Sequence, residues 1–239
     1  MSRAPKSNGG LDRRAAIKTL LANRPDDLFI VPGLGSTTYD LASLGDDDRN
    51  FYLWGAMGGA TMIGLGLALA QPKLRIAVIT GDGEMLMGIG SLATIGVQRP
   101  KNLAIVVFDN GAYGETGGQA SHTRLGVDLP ATARACGFET TFDVTDAKGL
   151  GELAAALATF DRTLFARVKI AAEEPPRVLP TRDGVDLKLR FRRAVSARNA
   201  GESSRLDRGK ASLYKPPALQ RPPSGGRRRP GSSVGRARD

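Results

Sequence analysis

The sequence predicts an α/β protein, a doubly wound parallel sheet with helices on both faces. Short apolar runs rich in β-branched residues, clearest at 75–80 and 102–108, are stopped by Gly or Asp, as strands buried on both faces are. Between these runs lie stretches of helical length and period. Strands that alternate with helices in this way build βαβ units rather than hairpins.

The elements follow in order. Residues 11–23 read as a helix with Ala15, Ile17, Leu20 and Leu21 apolar, and 28–31 as a strand stopped by Pro32 and Gly33. A helical stretch at 39–44 and an acidic turn at 46–48 lead to a strand at 51–54. A helix at 59–70 joins it to the strand ending at Asp82, and a second at 84–97 joins that strand to the one ending at Asp109. A helix near 129–136, a strand at 141–144, a helix at 148–159 and a strand at 163–170 complete the alternation. Beyond Pro175 and Pro176 the pattern decays, and a short segment at 186–191 closes the domain. The expected organisation is a disordered start at 1–10, one domain at 11–193 and a basic disordered tail at 194–239, too poor in apolar residues to offset its ordering entropy.

A chain of 239 residues is long enough for a real core. The net charge of +10 is uneven: residues 1–175 carry 17 Lys/Arg against 19 Asp/Glu, residues 176–239 carry 17 against 5. The basic pI therefore belongs to the tail, and nucleic acid is not the expected partner of the domain. The tail ends in a string, 231–237, of the kind that arises when a transfer RNA gene is read as protein. A gene model running past its stop is the expectation, and an intact mass of the full 25.2 kDa would contradict it.

One cysteine, Cys136, leaves no intramolecular disulfide and no Cys-based zinc cluster, and reads as a buried thiol at a helix end. No charged and then apolar leader opens the chain. The longest apolar run, 56–70, has 15 residues and four glycines, short of a bilayer span. A cytoplasmic location without membrane contact is expected.

Chemistry points to the strand ends. Asp82, between Gly81 and Gly83, and Asn110, ahead of Gly111, each follow a buried parallel strand, and open α/β sheets bind ligands at the carboxyl ends of their strands. A carboxylate and an amide oxygen suit Mg²⁺ shared with phosphate oxygens, since Mg²⁺ takes few protein ligands. Gly81 and Gly83 let backbone N–H groups approach phosphate, and the helix that follows offers its positive end. The alternative is that Asp82 and Asn110 merely cap turns. Glu84 reads as a solvent-directed first-turn residue stabilised by the helix dipole. A dinucleotide fingerprint fails at Leu86, and a P-loop from Gly83 lacks its Lys and Ser/Thr. His122, the only histidine, excludes a two-His metal site.

The Gly81-Asp82-Gly83 to Asn110 spacing resembles the diphosphate-binding motif of thiamine diphosphate enzymes. The stretch 50–123, notably Asn50-Phe51-Tyr52, Gly90-Ser91-Leu92-Ala93-Thr94-Ile95 and Asp109-Asn110-Gly111-Ala112-Tyr113-Gly114, is similar to the sulfopyruvate decarboxylase β subunit and phosphonopyruvate decarboxylase. The resemblance implies thiamine diphosphate and Mg²⁺ as cofactors, with Asp82, Asn110 and the Ala112 carbonyl on the metal. It implies Met57 as the side chain that bends the cofactor and the Gly55 carbonyl as acceptor for its amino group, with Tyr113 and Gly114 nearby. The Gly-rich loop 117–123 would close over the substrate, with His122 as a candidate catalytic group and Thr123 near an anionic headgroup.

The activating glutamate of these enzymes comes from a pyrimidine-binding domain for which this chain has no room. A partner (α) subunit and a small anionic 2-oxoacid substrate follow from the resemblance, with 3-sulfopyruvate decarboxylation to sulfoacetaldehyde and CO₂ as the expected reaction. Phosphonopyruvate decarboxylase or an acetolactate synthase-like carboligase subunit are alternatives within the class. A non-catalytic diphosphate binder and a tail-mediated nucleic-acid binder are alternatives outside it.

Overall fold

The structure is a computed structural model that describes residues 9–206. Five parallel strands, β1 (Leu28–Pro32), β2 (Arg75–Gly81), β3 (Leu103–Asp109), β6 (Thr140–Val144) and β7 (Leu164–Lys169), form one sheet in the order β1-β2-β3-β7-β6. A two-stranded antiparallel ribbon, β4 (Ala112–Tyr113) and β5 (Gln119–Ala120), projects beyond the end of β3. The helices are α1 (Arg13–Leu21), α2 (Ser36–Ala42), α3 (Ala60–Ala70), α4 (Asp82–Met87), α5 (Ser91–Gln98), α6 (Leu129–Ala135), α7 (Ala147–Thr159) and α8 (Gly184–Leu206).

Every residue of β3 is buried, the burial of a central parallel strand covered on both faces. On one face Ile17 and Leu20 of α1 and Leu150, Leu153 and Leu157 of α7 pack on Ala104 and Val106. On the other, Leu65 of α3, Leu92 and Ile95 of α5 and Ala133 of α6 pack on Ile105 and Val107. Successive β3 side chains thus feed two separate cores, which is the predicted doubly wound arrangement. Among the described residues no helix is long and apolar enough to cross a membrane.

Three expectations are corrected. Residues 51–54 are not a strand: Ile30 N–H donates to the Arg49 carbonyl (2.9 Å) and Phe51 N–H to the Ile30 carbonyl (2.8 Å), and the pairing stops at that bridge. The alternation that suggested a strand is real, since Tyr52 enters one core and Leu53 the other, but the chain then leaves the sheet edge for the turn at 55–59. The helix expected at 84–97 is two helices, broken between Met87 and Ser91 at Gly88 and Gly90, and Gly88 packs so tightly on Gly58 that a Cβ there would overlap the Gly58 carbonyl oxygen. Finally, the chain does not lose structure at 194. Leu187 and Phe191 anchor α8 in the two cores and the helix runs on to Leu206, past the expected domain end at 193. Residues 1–8 and 207–239, where the disordered start and most of the tail were expected, lie outside the described residues.

The contact between α5 and the end of α6 offers a test of the packing. A Cβ at Gly96 would overlap the Cys136 carbonyl oxygen, a backbone atom that cannot swing away. Gly96→Ala is expected to lower stability by roughly 2–3 kcal/mol, read as a shift in urea midpoint; an unchanged midpoint would contradict the packing.

Candidate functional site

In the β2–β3 register Gly81 lies opposite Phe108, so the next residues, Asp82 and Asp109, sit side by side where the two strands end. Asp82 is 2% exposed and Asp109 4%. Asp109 faces the Arg167 guanidinium (3.7 Å) and accepts from the Gly111 N–H (2.9 Å). Asp82 is partnered by hydroxyls: Ser121 Oγ donates to its Oδ2, and Thr123 Oγ1 lies 3.2 Å from the same oxygen and 2.8 Å from Asp109 Oδ1. Ser121 and Thr123, 2.8 Å apart, have one proton each, fewer than the oxygen–oxygen contacts they make. Burial and the neighbouring Asp109 charge push the Asp82 carboxyl up to about 6, against the hydroxyl hydrogen bonds that favour its charged form.

Asn110 turns its Oδ1 onto the Ala112 N–H (2.9 Å), the turn-capping role that Asn commonly takes. An amide oxygen has two lone pairs, so the cap leaves one for a ligand. Ser121 N–H donates to the Gly111 carbonyl (3.0 Å), and antiparallel alternation then turns the C=O of Ala112 away from its partner strand. Among the described residues no group of three or more His, Cys, Asp or Glu is placed to hold a metal. A cation here would take its ligands from Asp82 and from amide, carbonyl and ligand oxygens, the donor set of a phosphate-shared Mg²⁺.

These residues face a cleft of about 170 Å³ that brings together Met57, Gly81, Asp82, Gly83, Asn110, Ala112, Tyr113 and Gly114. Gly83 is needed where it stands, since a Cβ would lie 2.6 Å from Tyr113 Cδ1, whereas a Cβ at Gly81 would meet open space. Gly55 is exposed and lies outside the lining. His122 is also exposed and outside it, with Nδ1 3.0 Å from the Tyr113 hydroxyl, so the ring steadies the ribbon residue that covers Gly83.

Glu84 departs from its sequence reading. It is 6% exposed, accepts from Thr80 Oγ1 (2.8 Å) and the Gly58 N–H (3.3 Å), and burial raises its pKa. The carboxylate turns inward because Gly33 leaves the space: a Cβ there would overlap Glu84 Oε2. α4 has only six residues, so little helix dipole is available to hold the charge outside.

The cleft also contains residues that the motif did not single out, among them Arg13, Leu34, Ser36 and Thr37. The signal for Leu34, Ser36 and Thr37 is the strand followed by Gly33-Leu34-Gly35-Ser36, where Gly35 has φ 82, a turn placing a helix start beside the ends of β1 and β2. Arg13 is buried against Asp40 (2.6 Å).

Residues 35–168 match the family of the thiamine pyrophosphate enzyme, C-terminal TPP binding domain. The chain is 39% identical over 202 residues to a phosphonopyruvate decarboxylase of Streptomyces viridochromogenes, which covers 82% of this chain and 49% of that protein. It is 33% identical over 189 residues to a sulfopyruvate decarboxylase subunit beta of Methanococcus maripaludis, covering 77% of this chain and 98% of that one. The chain thus spans about half the length of the first relative and almost all of the second. Benzoylformate decarboxylase from Polynucleobacter necessarius shares the fold, with a TM-score of 0.59 at 20% identity over 73% of this chain and 36% of that structure. The chain belongs to the thiamine pyrophosphate enzymes, as a bearer of their C-terminal TPP-binding domain.

Proposed function

We propose that this chain is the diphosphate-binding (β) subunit of a thiamine diphosphate- and Mg²⁺-dependent 2-oxoacid decarboxylase that converts 3-sulfopyruvate and a proton to sulfoacetaldehyde and CO₂. The observation that carries the reading is Asp82, a buried carboxylate at a strand end, lifted to about 6 beside a second carboxylate and short of hydroxyl protons. A divalent cation would supply positive charge beside the two buried carboxylates, so the residues present fit a metal-bound diphosphate.

Asp82, Asn110 and the Ala112 carbonyl would hold the metal, and the open space at Gly81 would admit the phosphates. Thiamine diphosphate, when bound, supplies an electron sink for the pair left behind by departing CO₂. Thr123 and Ser121 orient the Asp82 carboxylate from behind. Leu34, Met57, Phe108 and Ile170 give the rest of the cleft an apolar wall. Met57, in the cleft lining, would be the bulky side chain facing the cofactor rings. The activating glutamate comes from a pyrimidine-binding partner chain, in line with the coverage of about half of a single-chain relative and nearly all of one called subunit beta.

Phosphonopyruvate is the second reading of the substrate, favoured by 39% identity over 202 residues to an enzyme of that name. Isolating the tagged chain with its co-purifying partner and measuring CO₂ release from both acids separates the two. Turnover of 3-sulfopyruvate that needs both thiamine diphosphate and Mg²⁺ is expected. Bound cofactor without turnover of either acid would move the chain to a carboligase or non-catalytic role.

A further inference from the structure

Glu84 is a buried acid in the lining of the cleft, and the proposed function gives it no role. Its carboxylate ties together segments that are far apart in sequence: Thr80 Oγ1 at the end of β2 donates to Oε2 (2.8 Å), and the Gly58 N–H donates to Oε1 (3.3 Å). The backbone amides of Leu34 and Ala60 add to the stabilisation of its charged form. Gly58 belongs to a strained turn, since Ala56 has φ 58 and Gly58 φ 88, and a left-handed conformation at a residue with a side chain persists only where its surroundings enforce it. Met57 sits between the two and reaches the cleft. Gly88 supports the turn from below through its close approach to the Gly58 carbonyl.

We propose that Glu84 is a positioning residue that anchors the Gly58 amide, holds the 55–59 turn in its left-handed form and so aims Met57 at the cofactor, with Gly33 as the gap that admits its carboxylate. The part that concerns the cofactor rests on the function proposed above, whereas the anchoring of the turn does not. Glutamate reaches the turn from the same short helix that begins with Asp82, so the metal ligand and the ring-facing methionine are set by one element.

The test uses the full chain with its co-purifying partner and two readouts. Glu84→Ala is expected to speed amide hydrogen exchange at Gly58 by about tenfold, the scale of a hydrogen bond to a charged group, with β3 and β7 unchanged. In the presence of Mg²⁺ it is expected to weaken thiamine diphosphate binding by about tenfold. Glu84→Gln keeps an acceptor for Gly58 and is expected to stay within about threefold of wild type on both readouts. Gly33→Ala, which displaces the carboxylate and also crowds Thr80 Oγ1, is expected to speed Gly58 exchange as Glu84→Ala does. Because Glu84 acts through Met57, the Met57→Ala/Glu84→Ala double variant is expected to bind the cofactor no more weakly than Met57→Ala alone.

Unchanged Gly58 exchange in both Glu84→Ala and Gly33→Ala would overturn the anchor, and fully additive binding losses would overturn its action through Met57. Should Glu84→Ala fail to fold, Gly33→Ala and Glu84→Gln decide the question. Wild type that binds no cofactor in Mg²⁺ with its co-purifying partner present would end the proposed function, while exchange at Gly58 still decides the anchor.

Discussion

Asp82→Ala is expected to weaken Mg²⁺-dependent retention of thiamine diphosphate by about 100-fold or more, because removing a group that merely orients a metal ligand already costs about 10–100-fold. The loss falls on binding and not on folding. In the metal-free protein Asp82 is an uncomfortable group, buried and beside Asp109, so its removal deletes a desolvation cost together with the hydroxyl contacts. Calorimetric titration with the cofactor in Mg²⁺, beside thermal unfolding of the same variant, separates the two effects. Undiminished binding would remove Asp82 from the metal site.

The second large effect is a dependence on pH of opposite sign in the metal-free and loaded protein. A carboxyl raised to about 6 binds a proton in the folded chain where the unfolded chain has already lost it. Its share of stability is therefore present at low pH and is lost as pH rises from near 4 through about 6, on the order of 2–3 kcal/mol in all. Glu84 and Asp40, also raised by burial, tilt the metal-free protein the same way. Metal binding needs the ionised carboxylate, so Mg²⁺ affinity should fall about tenfold per pH unit below 6. Thermal scans at pH 5 and pH 7 should show a melting temperature that falls with pH without ligands, and a gain from Mg²⁺ with cofactor that is larger at pH 7. Asp82→Asn should remove part of the metal-free slope. An equal gain at both pH values would contradict the assignment.

The parts of the fold legible in the sequence are those where local pattern and tertiary burial agree. Ile105, Val106 and Val107 are β-branched, and their strand is wholly buried, so a periodicity argument suffices. It fails where a distant contact decides. Residues 51–54 alternate as a strand does, yet Tyr52 and Leu53 reach their two cores from extended chain with one bridge to β1. Nothing local shows that Gly88 must meet Gly58, and without that contact α4 and α5 read as one helix. The long α8 was hidden by its charge, since Leu187 and Phe191 are the residues that bind it to the cores.

The candidate site divides along the same line. Asp82, Asn110 and the glycines around them were visible because the motif is contiguous with its strands. Asp109 reads as a strand stop, and only the register of Gly81 opposite Phe108 makes it the neighbouring charge that adds to burial in lifting Asp82. Glu84 reads as solvent-directed because its burial depends on a missing side chain at Gly33, far away in the sequence. His122, singled out as the sole histidine, serves the Tyr113 hydroxyl from outside the cleft.

A metal-bound diphosphate at the ends of β2 and β3 is directly visible in a crystal. Crystals grown with thiamine diphosphate and Mn²⁺ in place of Mg²⁺ test it most directly, through the anomalous signal of the metal. The expected result is one Mn²⁺ bonded to the Asp82 and Asn110 side chains, the Ala112 carbonyl and the diphosphate. A metal bound elsewhere, or cofactor seated in the cleft with no metal on Asp82, would contradict it.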